Sequence, residues 1–403
     1  MNKGSLFALL LLLVVGLYLR LHYVLQAQYP PLDWDQLEYT KTAIQLLNKG
    51  IYAYRDTMPN SLVTPGWPLM LAGVFCIIGY EPLEPALMVI RLLNCFIALG
   101  AITFIFLLGR RLFHPITGFL AAGFATVYPS YVWSTSLILT EVPFLTAFTG
   151  MLYLQVRIIQ ENKGKDHLWM GLLLGICVLF RPNALPMAII PYVFLWTKDK
   201  QINWKPTLLA AASFAFVMLP WWIRNLLTFH EFIFIAKGEA GNPFLGGTDP
   251  YFADTIDWNH INKDHQFAEG LKRIRQGLKD NPWLWIKWMT VGKLFVFFKT
   301  MWVGPYPFSV PAWYANLLVK LHNYLITFGA FSLMAFSLRN RSIRYLTCSF
   351  FVFLSVHLVF IPVDRYLYGM LPFLMLGTAY FVTQALFLIR YVWITSLLQR
   401  KGI

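Results

Sequence analysis

Apolar stretches about as long as a bilayer is thick recur along this chain, and they leave few folds open to it. A membrane-crossing helix needs about 20 mostly apolar residues. Residues 5–26, 86–108, 116–135, 139–158, 206–226, 312–336, 343–361 and 367–390 meet or approach that length, and 168–181 and 183–197 are shorter candidates divided by Arg181-Pro182-Asn183. Composition agrees. Hydrophobic residues make up 58% of the 403 and charged residues only 13%, about half the charge of an ordinary soluble domain. A cytosolic enzyme, a disordered chain and a disulfide-stapled secreted module are excluded. The expectation is an all-α polytopic membrane protein of about 10–11 spans, a single domain over residues 1–403. Residues 5–26 exceed a signal-peptide core, and no small-residue cleavage site follows them, so they read as an anchor.

Cys76, Cys95, Cys177 and Cys348 lie in or beside apolar runs without paired spacing, which indicates neither a disulfide framework nor a zinc site. Lys and Arg outnumber Asp and Glu by 33 to 19. Much of that excess is topological, because cytoplasmic loops collect basic residues. With Lys3 inside and the spans alternating, the inner loops carry Arg110 and Arg111; Arg157, Lys163 and Lys165; Lys198, Lys200 and Lys205; Arg339, Arg341 and Arg344; and Arg390, Arg400 and Lys401. Both termini are then cytoplasmic, and residues 27–85 and 227–311 form two large external loops. The apolar run 66–80 is too short to span comfortably and reads as an interfacial or re-entrant helix. Residues 267–302 mix Lys and Arg with Trp283, Trp285 and Trp288, the composition of a basic amphipathic helix lying in the membrane surface. No internal repeat is evident, which speaks against an inverted-repeat transporter.

Asp33 and Asp35 follow the first span. Two carboxylates two positions apart can point at one site if the chain is extended at Trp34, as a general base or as ligands of a divalent cation. The bland alternative is that Asp35 merely caps a helix beginning near Gln36. Glu141, in Thr140-Glu141-Val142-Pro143, begins the fourth span; an acid at membrane depth is costly and marks function, although a helix N-terminus also favours Glu. Arg181, Arg224 and Arg365 each fall at an expected outer helix end. Arginine suits bidentate recognition of phosphate, with snorkelling or structural ion pairing as the alternative. Lys237 and the Gly246-Gly247 pair belong to the second external loop, as do His230, His260 and His265, whose spacing is not that of a metal site. His322 and His357 read as buried, hydrogen-bonded residues of the bundle. Phosphate-binding loops, dinucleotide fingerprints and the serine-hydrolase elbow are missing. A transferase working on the external face therefore needs a donor presented from the membrane, such as a sugar on a polyprenyl phosphate.

With those residues in place, the chain resembles the C-type (GT-C) membrane glycosyltransferases, in particular the dolichyl-phosphate-mannose–protein mannosyltransferase and aminoarabinose-transferase group. The resemblance is carried by Asp33-Trp34-Asp35 with Tyr39, Thr64-Pro65-Gly66-Trp67-Pro68, Arg91-Leu92-Leu93-Asn94, Leu108-Gly109-Arg110-Arg111, Leu139-Thr140-Glu141, Arg181-Pro182, Pro220-Trp221-Trp222-Ile223-Arg224-Asn225 and Arg365-Tyr366. It implies a GT-C-like helix bundle in the plasma (inner) membrane of a prokaryote, with external interfacial helices. It also implies an inverting glycosyltransferase that moves a hexosyl or pentosyl group from a polyprenyl-phosphate donor to a lipid, glycan or protein acceptor on the extracytoplasmic face. Nucleic acid is no partner, and no nucleotide cofactor is expected. By the resemblance, Asp35 acts as base or orients the acceptor, and Asp33 and Glu141 assist. A divalent metal on Asp33, Asp35 and Glu141 stays open. Arg181, Arg224, Arg365 and Lys237 hold the donor phosphate and lipid, while Tyr39, Tyr366 and Asn225 position substrate. The chain ends at Ile403, shortly after its last span, so no soluble C-terminal domain is expected. The rival reading is a transporter or flippase of a lipid-linked sugar.

Overall fold

The structure is a computed structural model that describes residues 3–200, 203–238, 241–262, 265–305 and 310–400. In chain order its helices are α1 (Lys3–Gln26), α2 (Trp34–Lys49), α3 (Gly66–Ile78), α4 (Leu83–Leu112), α5 (Pro115–Val127), α6 (Pro129–Trp133), α7 (Glu141–Glu161), α8 (Gly164–Phe180), α9 (Ile190–Asp199) and α10 (Trp204–Phe229). They continue with α11 (Gly241–Gly246), α12 (Gln266–Asp280), α13 (Pro282–Lys287), α14 (Lys293–Lys299), α15 (Ala312–Phe336), α16 (Arg341–Leu358) and α17 (Leu371–Arg400). The fold is an all-α membrane bundle, as the apolar runs require.

Six of these helices, α1, α4, α7, α10, α15 and α17, are long and apolar enough to cross a bilayer. The other expected spans exist as shorter or broken helices. Proline accounts for two of the breaks, since it cannot donate to the helical ladder and disfavours helix in the residue before it. Pro129 separates α5 from α6 within 116–135, and Pro182 opens a 3₁₀ segment, Pro182–Ile189, ahead of α9. The run 66–80 folds as the 13-residue α3, whose Trp67 is buried and donates its indole N–H to the Ile138 carbonyl at 3.1 Å.

Close backbone approach ties the bundle together. A β-carbon on Gly118 would meet the Phe106 carbonyl oxygen at 2.5 Å, so α4 and α5 can cross there only with glycine present. Arg20 on α1 is 1% exposed and donates to the carbonyls of Ala125 (3.2 Å) and Thr126 (3.1 Å) at the end of α5. A cation placed on those terminal carbonyls answers the negative end of the helix dipole.

The region 267–302 is divided into several helices and is not one continuous amphipathic helix. Asn281-Pro282 divides α12 from α13, and a π turn over Trp288–Gly292 leads into α14. Trp288 and Phe297 are fully buried, with the Trp288 indole N–H on the Gly247 carbonyl at 3.0 Å. Lys293 is buried too and donates to the carbonyls of Leu358 (2.8 Å) and Phe360 (3.0 Å). Trp285, Trp288 and Phe297 therefore pack against protein, with the carbonyl of 247 satisfying the Trp288 N–H and those of 358 and 360 the Lys293 ammonium, while Trp283 and Phe295 stay exposed. His322 and His357 are buried and hydrogen-bonded, as the sequence indicates.

Candidate active site

Glu141 is placed by a short segment between α6 and α7, a 3₁₀ turn (Ser134–Ser136) followed by non-helical backbone, which is held from three sides. Arg91 on α4 donates to the Ser136 carbonyl (3.0 Å), Asn94 donates to that of Leu137 (3.2 Å), and the Ile138 amide donates to Oε1 of Gln36 on α2 (2.9 Å). These contacts hold the first turn of α7 beside the first turn of α2. They thereby bring Glu141 toward Asp35 from a segment 106 residues away in sequence.

The two acids are joined by arginines. Arg365, in the 3₁₀ turn Asp364–Gly369, donates from Nη1 to Oδ2 of Asp35 at 2.9 Å and from Nε to Oε1 of Glu141. Arg181, at the end of α8, donates from Nη2 to the same Glu141 oxygen and from Nε to Thr140 Oγ1 at 2.9 Å. Glu141 is 1% exposed, and its Oε2 has no hydrogen-bond partner among the described residues. The other oxygen of Asp35, Oδ1, accepts from the Tyr54 hydroxyl at 3.0 Å and from Arg55 Nη2 at 3.2 Å.

Partial burial pushes the Asp35 carboxyl up, but Arg365 and the Tyr54 hydroxyl outweigh it and leave its pKa below the ordinary carboxylate range. Burial works against the Arg365 cation, and Glu141 and Asp35 more than compensate, so its pKa is raised. Tyr39, one helical turn after Asp35, is held as the neutral phenol, chiefly by burial and then by the Asp35 charge. A cavity of about 530 Å³ opens onto this cluster. Asp35, Tyr39, Arg181, Arg365, Tyr366 and His357 line it, with largely apolar walls from residues such as Phe180, Leu185 and Ile235. Cationic groups at the head of an apolar cavity suit an amphiphile with an anionic head.

Other expected residues lie elsewhere. Trp34 has φ 40°, left-handed rather than extended backbone, so Asp33 and Asp35 do not point together. Asp33 is exposed, and its nearest side-chain partner is Gln36 Nε2 at 3.3 Å. The helix begins at Trp34, and the Asp33 side chain makes no cap bond; neither acid is the expected N-cap acceptor. Arg224 spends its guanidinium on the carbonyls of Asn60 (2.9 Å) and Tyr52 (2.8 Å) and on Asn225 Oδ1 (2.9 Å). Asn225 is fully buried beside it. Lys237 pairs with Glu231 at 2.6 Å and does not line the cavity.

Tyr54, Arg55, Asn183 and His357 join the site without having been singled out for it in the sequence. Asn183 donates to His357 Nε2 at 2.7 Å, while His357 Nδ1 donates to the Phe353 carbonyl at 2.8 Å. The only signal for Arg55 was a cation in an external loop.

Asp33, Asp35 and Glu141 do not form a metal donor set as they stand. Asp33 faces outward, and guanidinium groups occupy Asp35 Oδ2 and Glu141 Oε1. Among the described residues no group of three His, Cys, Asp or Glu is arranged to hold a metal ion.

Comparisons with known proteins agree with this architecture. No curated protein matches the chain by sequence. The archaeal oligosaccharyltransferase AglB from Archaeoglobus fulgidus, determined in complex with an inhibitory peptide and a dolichol-phosphate, superposes with a TM-score of 0.57 at 13% identity. The match covers 97% of this chain and 51% of that one. The same enzyme in complex with Zn and sulfate gives a TM-score of 0.55 at 14% identity, over 97% and 51%. ArnT from Cupriavidus metallidurans bound to undecaprenyl phosphate gives 0.48 at 14% identity, over 94% and 78%. The chain thus spans about half the length of the oligosaccharyltransferase whose fold it shares. The family described as dolichyl-phosphate-mannose-protein mannosyltransferase matches residues 63–223, the stretch that carries Glu141 and Arg181, so the resemblance read from the sequence is borne out there.

Proposed function

We propose that this integral membrane protein is an inverting glycosyltransferase that moves a sugar from a polyprenyl-phosphate donor to a hydroxyl-bearing acceptor, with Asp35 at the reacting centre. The observation that carries the reading is the division of Asp35. One carboxylate oxygen meets Arg365 on the wall of the apolar cavity, and the other meets Tyr54 and Arg55. On the far side of that carboxylate lies an open groove that includes Trp34, Glu38, Gln45 and Arg55. A lipid-borne phosphate fits the side with the arginines, and a polar acceptor fits the groove.

In this reading the acceptor oxygen attacks the anomeric carbon from the face opposite the phosphate. The carbon–oxygen bond to phosphate breaks, and the polyprenyl phosphate leaves with the electron pair. The acceptor proton passes to Asp35. A nearby carboxylate contributes roughly 10²–10⁴-fold to activating a hydroxyl. Arg181 and Arg365 stabilise charge on the departing phosphate, and fixed cations do this without a general acid. Glu141 keeps both guanidinium groups in place. Arg224 and Lys237 contribute through the loops they tether, since their polar atoms are engaged there. Tyr39 and Tyr366 bound the space in which the sugar is held. A divalent cation at these acids would compete with Arg365 for Asp35, and no step is assigned to one.

Support comes from the matched family and from the fold shared with an enzyme determined with dolichol-phosphate. The site is assigned to the extracytoplasmic face and both termini to the cytoplasm of a prokaryotic plasma membrane, on the distribution of Lys and Arg among the loops. The test is to incubate purified protein in liposomes with polyprenyl-phosphate hexoses and pentoses and a panel of acceptors, then weigh the products. A glycosylated acceptor with released polyprenyl phosphate is expected. Movement of intact sugar-lipid across the sealed bilayer without any covalent product would replace the reading with transport.

A further inference from the structure

We propose that the end of the bundle opposite Asp35 carries a binding site for the phosphate headgroup of an anionic lipid, held by Lys198 and Arg341. A cavity of about 260 Å³ lies where the ends of α4, α7 and α9 meet the start of α16. Gln160 lines it, 19 positions after Glu141 on α7. At the rise of an α-helix that separation is ~28 Å, about the thickness of a hydrocarbon core. Arg341 likewise begins the helix whose far end holds His357 at the active-site cavity. The two cavities therefore face opposite bilayer surfaces.

Among the described side chains, the charges of this cavity have no acidic partner. Lys198 and Arg341 line it, no Asp or Glu does, and neither cation is hydrogen-bonded or ion-paired among the described residues. Neighbouring cations at the same end are ion-paired: Arg111 and Lys163 share Glu161, and Arg157 pairs with Asp166. The start of α16 adds the positive end of a helix dipole, and Gln160 and Ser342 supply hydrogen-bonding groups. Ile159 and Phe194 make apolar walls. Two free cations above apolar walls at a bilayer surface match a phosphodiester whose acyl chains remain in the membrane. A soluble phosphate would use the cations and leave the apolar walls idle. A lipid seated here would bridge α9 and α16, both of which lead back to the catalytic cavity through Asn183 and His357.

The test reconstitutes the full chain in phosphatidylcholine bilayers containing a minor fraction of phosphatidylglycerol and counts retained lipid by native mass spectrometry. Wild type is expected to keep one phosphatidylglycerol, and K198Q/R341Q to bind it roughly thirtyfold more weakly, from about tenfold or less per basic residue. The control double variant K205Q/R390Q, basic residues of the same end outside the cavity, is expected to bind as wild type does. Unfolding midpoints in pure phosphatidylcholine check that both variants fold. The single variants K198Q and R341Q, each expected to weaken binding severalfold, serve if the double does not. Unchanged retention by K198Q/R341Q, or equal loss in both doubles, overturns the site. Inorganic phosphate displacing the lipid at equal concentration overturns the lipid as its ligand.

Discussion

Nη1 of Arg365 donates to Oδ2 of Asp35 at 2.9 Å, across 330 positions of the chain. The same guanidinium reaches Glu141 through Nε, so one arginine fixes the spacing of the two acids of the site. Removing it leaves Glu141, 1% exposed, with Arg181 as its remaining cation. An acid stripped of a buried partner costs about 3 kcal/mol or more. Arg365→Gln is therefore expected to lower unfolding free energy by about that much and to leave only a small residual transfer activity. Arg365→Lys, which keeps the charge but not the fork geometry, should recover stability in part and turnover very little. Thermal unfolding and transfer measured on the same preparations check both.

The lowered pKa of Asp35 sets a sign for the pH profile. Because the reactive form is the carboxylate, kcat/KM should stay level as pH falls toward the ordinary Asp value of about 4 and decline only below it. The same depression means that Asp35 stabilises the fold above its unfolded pKa, a contribution lost as pH drops through the folded value. With Arg365 replaced by Gln, burial is left to act without its main opponent, and any residual acid limb moves to higher pH. A profile of kcat/KM for wild type and for the variant's residual activity decides this.

Tyr54→Phe removes one donor to Asp35 Oδ1 while Arg55 remains. A hydrogen bond to a charged group is worth about 1.5 kcal/mol or somewhat more, so kcat/KM should fall about tenfold with a small change in unfolding midpoint. Donor affinity, measured separately, should not move. A loss in donor affinity alone would show that Tyr54 serves the lipid side instead.

Arg224 distinguishes structural from phosphate-binding arginines. Its guanidinium lies among the Tyr52, Trp221 and Phe229 rings and donates to two loop carbonyls. Arg224→Gln is expected to destabilise the protein by about 2 kcal/mol through unsatisfied carbonyls and to leave donor affinity of the folded fraction within about threefold. Arg181→Gln should do the reverse in proportion, weakening donor binding far more than Arg224→Gln does. Binding isotherms for the two variants provide the check.

Much of the site was legible because charge in an apolar chain is rare and therefore informative. Asp35, Glu141, Arg181 and Arg365 stand at helix ends where a charge needs a reason, and all four meet. Arg224 and Lys237 gave the same signal and went elsewhere, because a guanidinium that can grip phosphate can equally grip carbonyls. Tyr54 and Arg55 were hidden for a different cause. Their positions depend on a loop folded by tertiary bonds, Asn60 with the Tyr54 backbone and Arg224 with Tyr52 and Asn60, and no local periodicity announces such a loop. Asp33 went astray on a single dihedral, the left-handed φ of Trp34. The apolar runs located the helices, but Pro129 and Pro182 cut two of them, and carbonyls from distant turns drew Trp288 and Lys293 inward.

The central claim is that Asp35 takes the acceptor's proton while the arginines beside it hold the donor's phosphate. Asp35→Asn keeps the shape and the Tyr54 contact but removes the charge. Turnover of a polyprenyl-phosphate sugar by the purified variant in liposomes, with donor binding and unfolding midpoint recorded alongside, tests this directly. The account requires transfer to fall by a factor on the order of 10³ while the donor still binds and the protein still folds. Transfer by Asp35→Asn at the wild-type rate would contradict it.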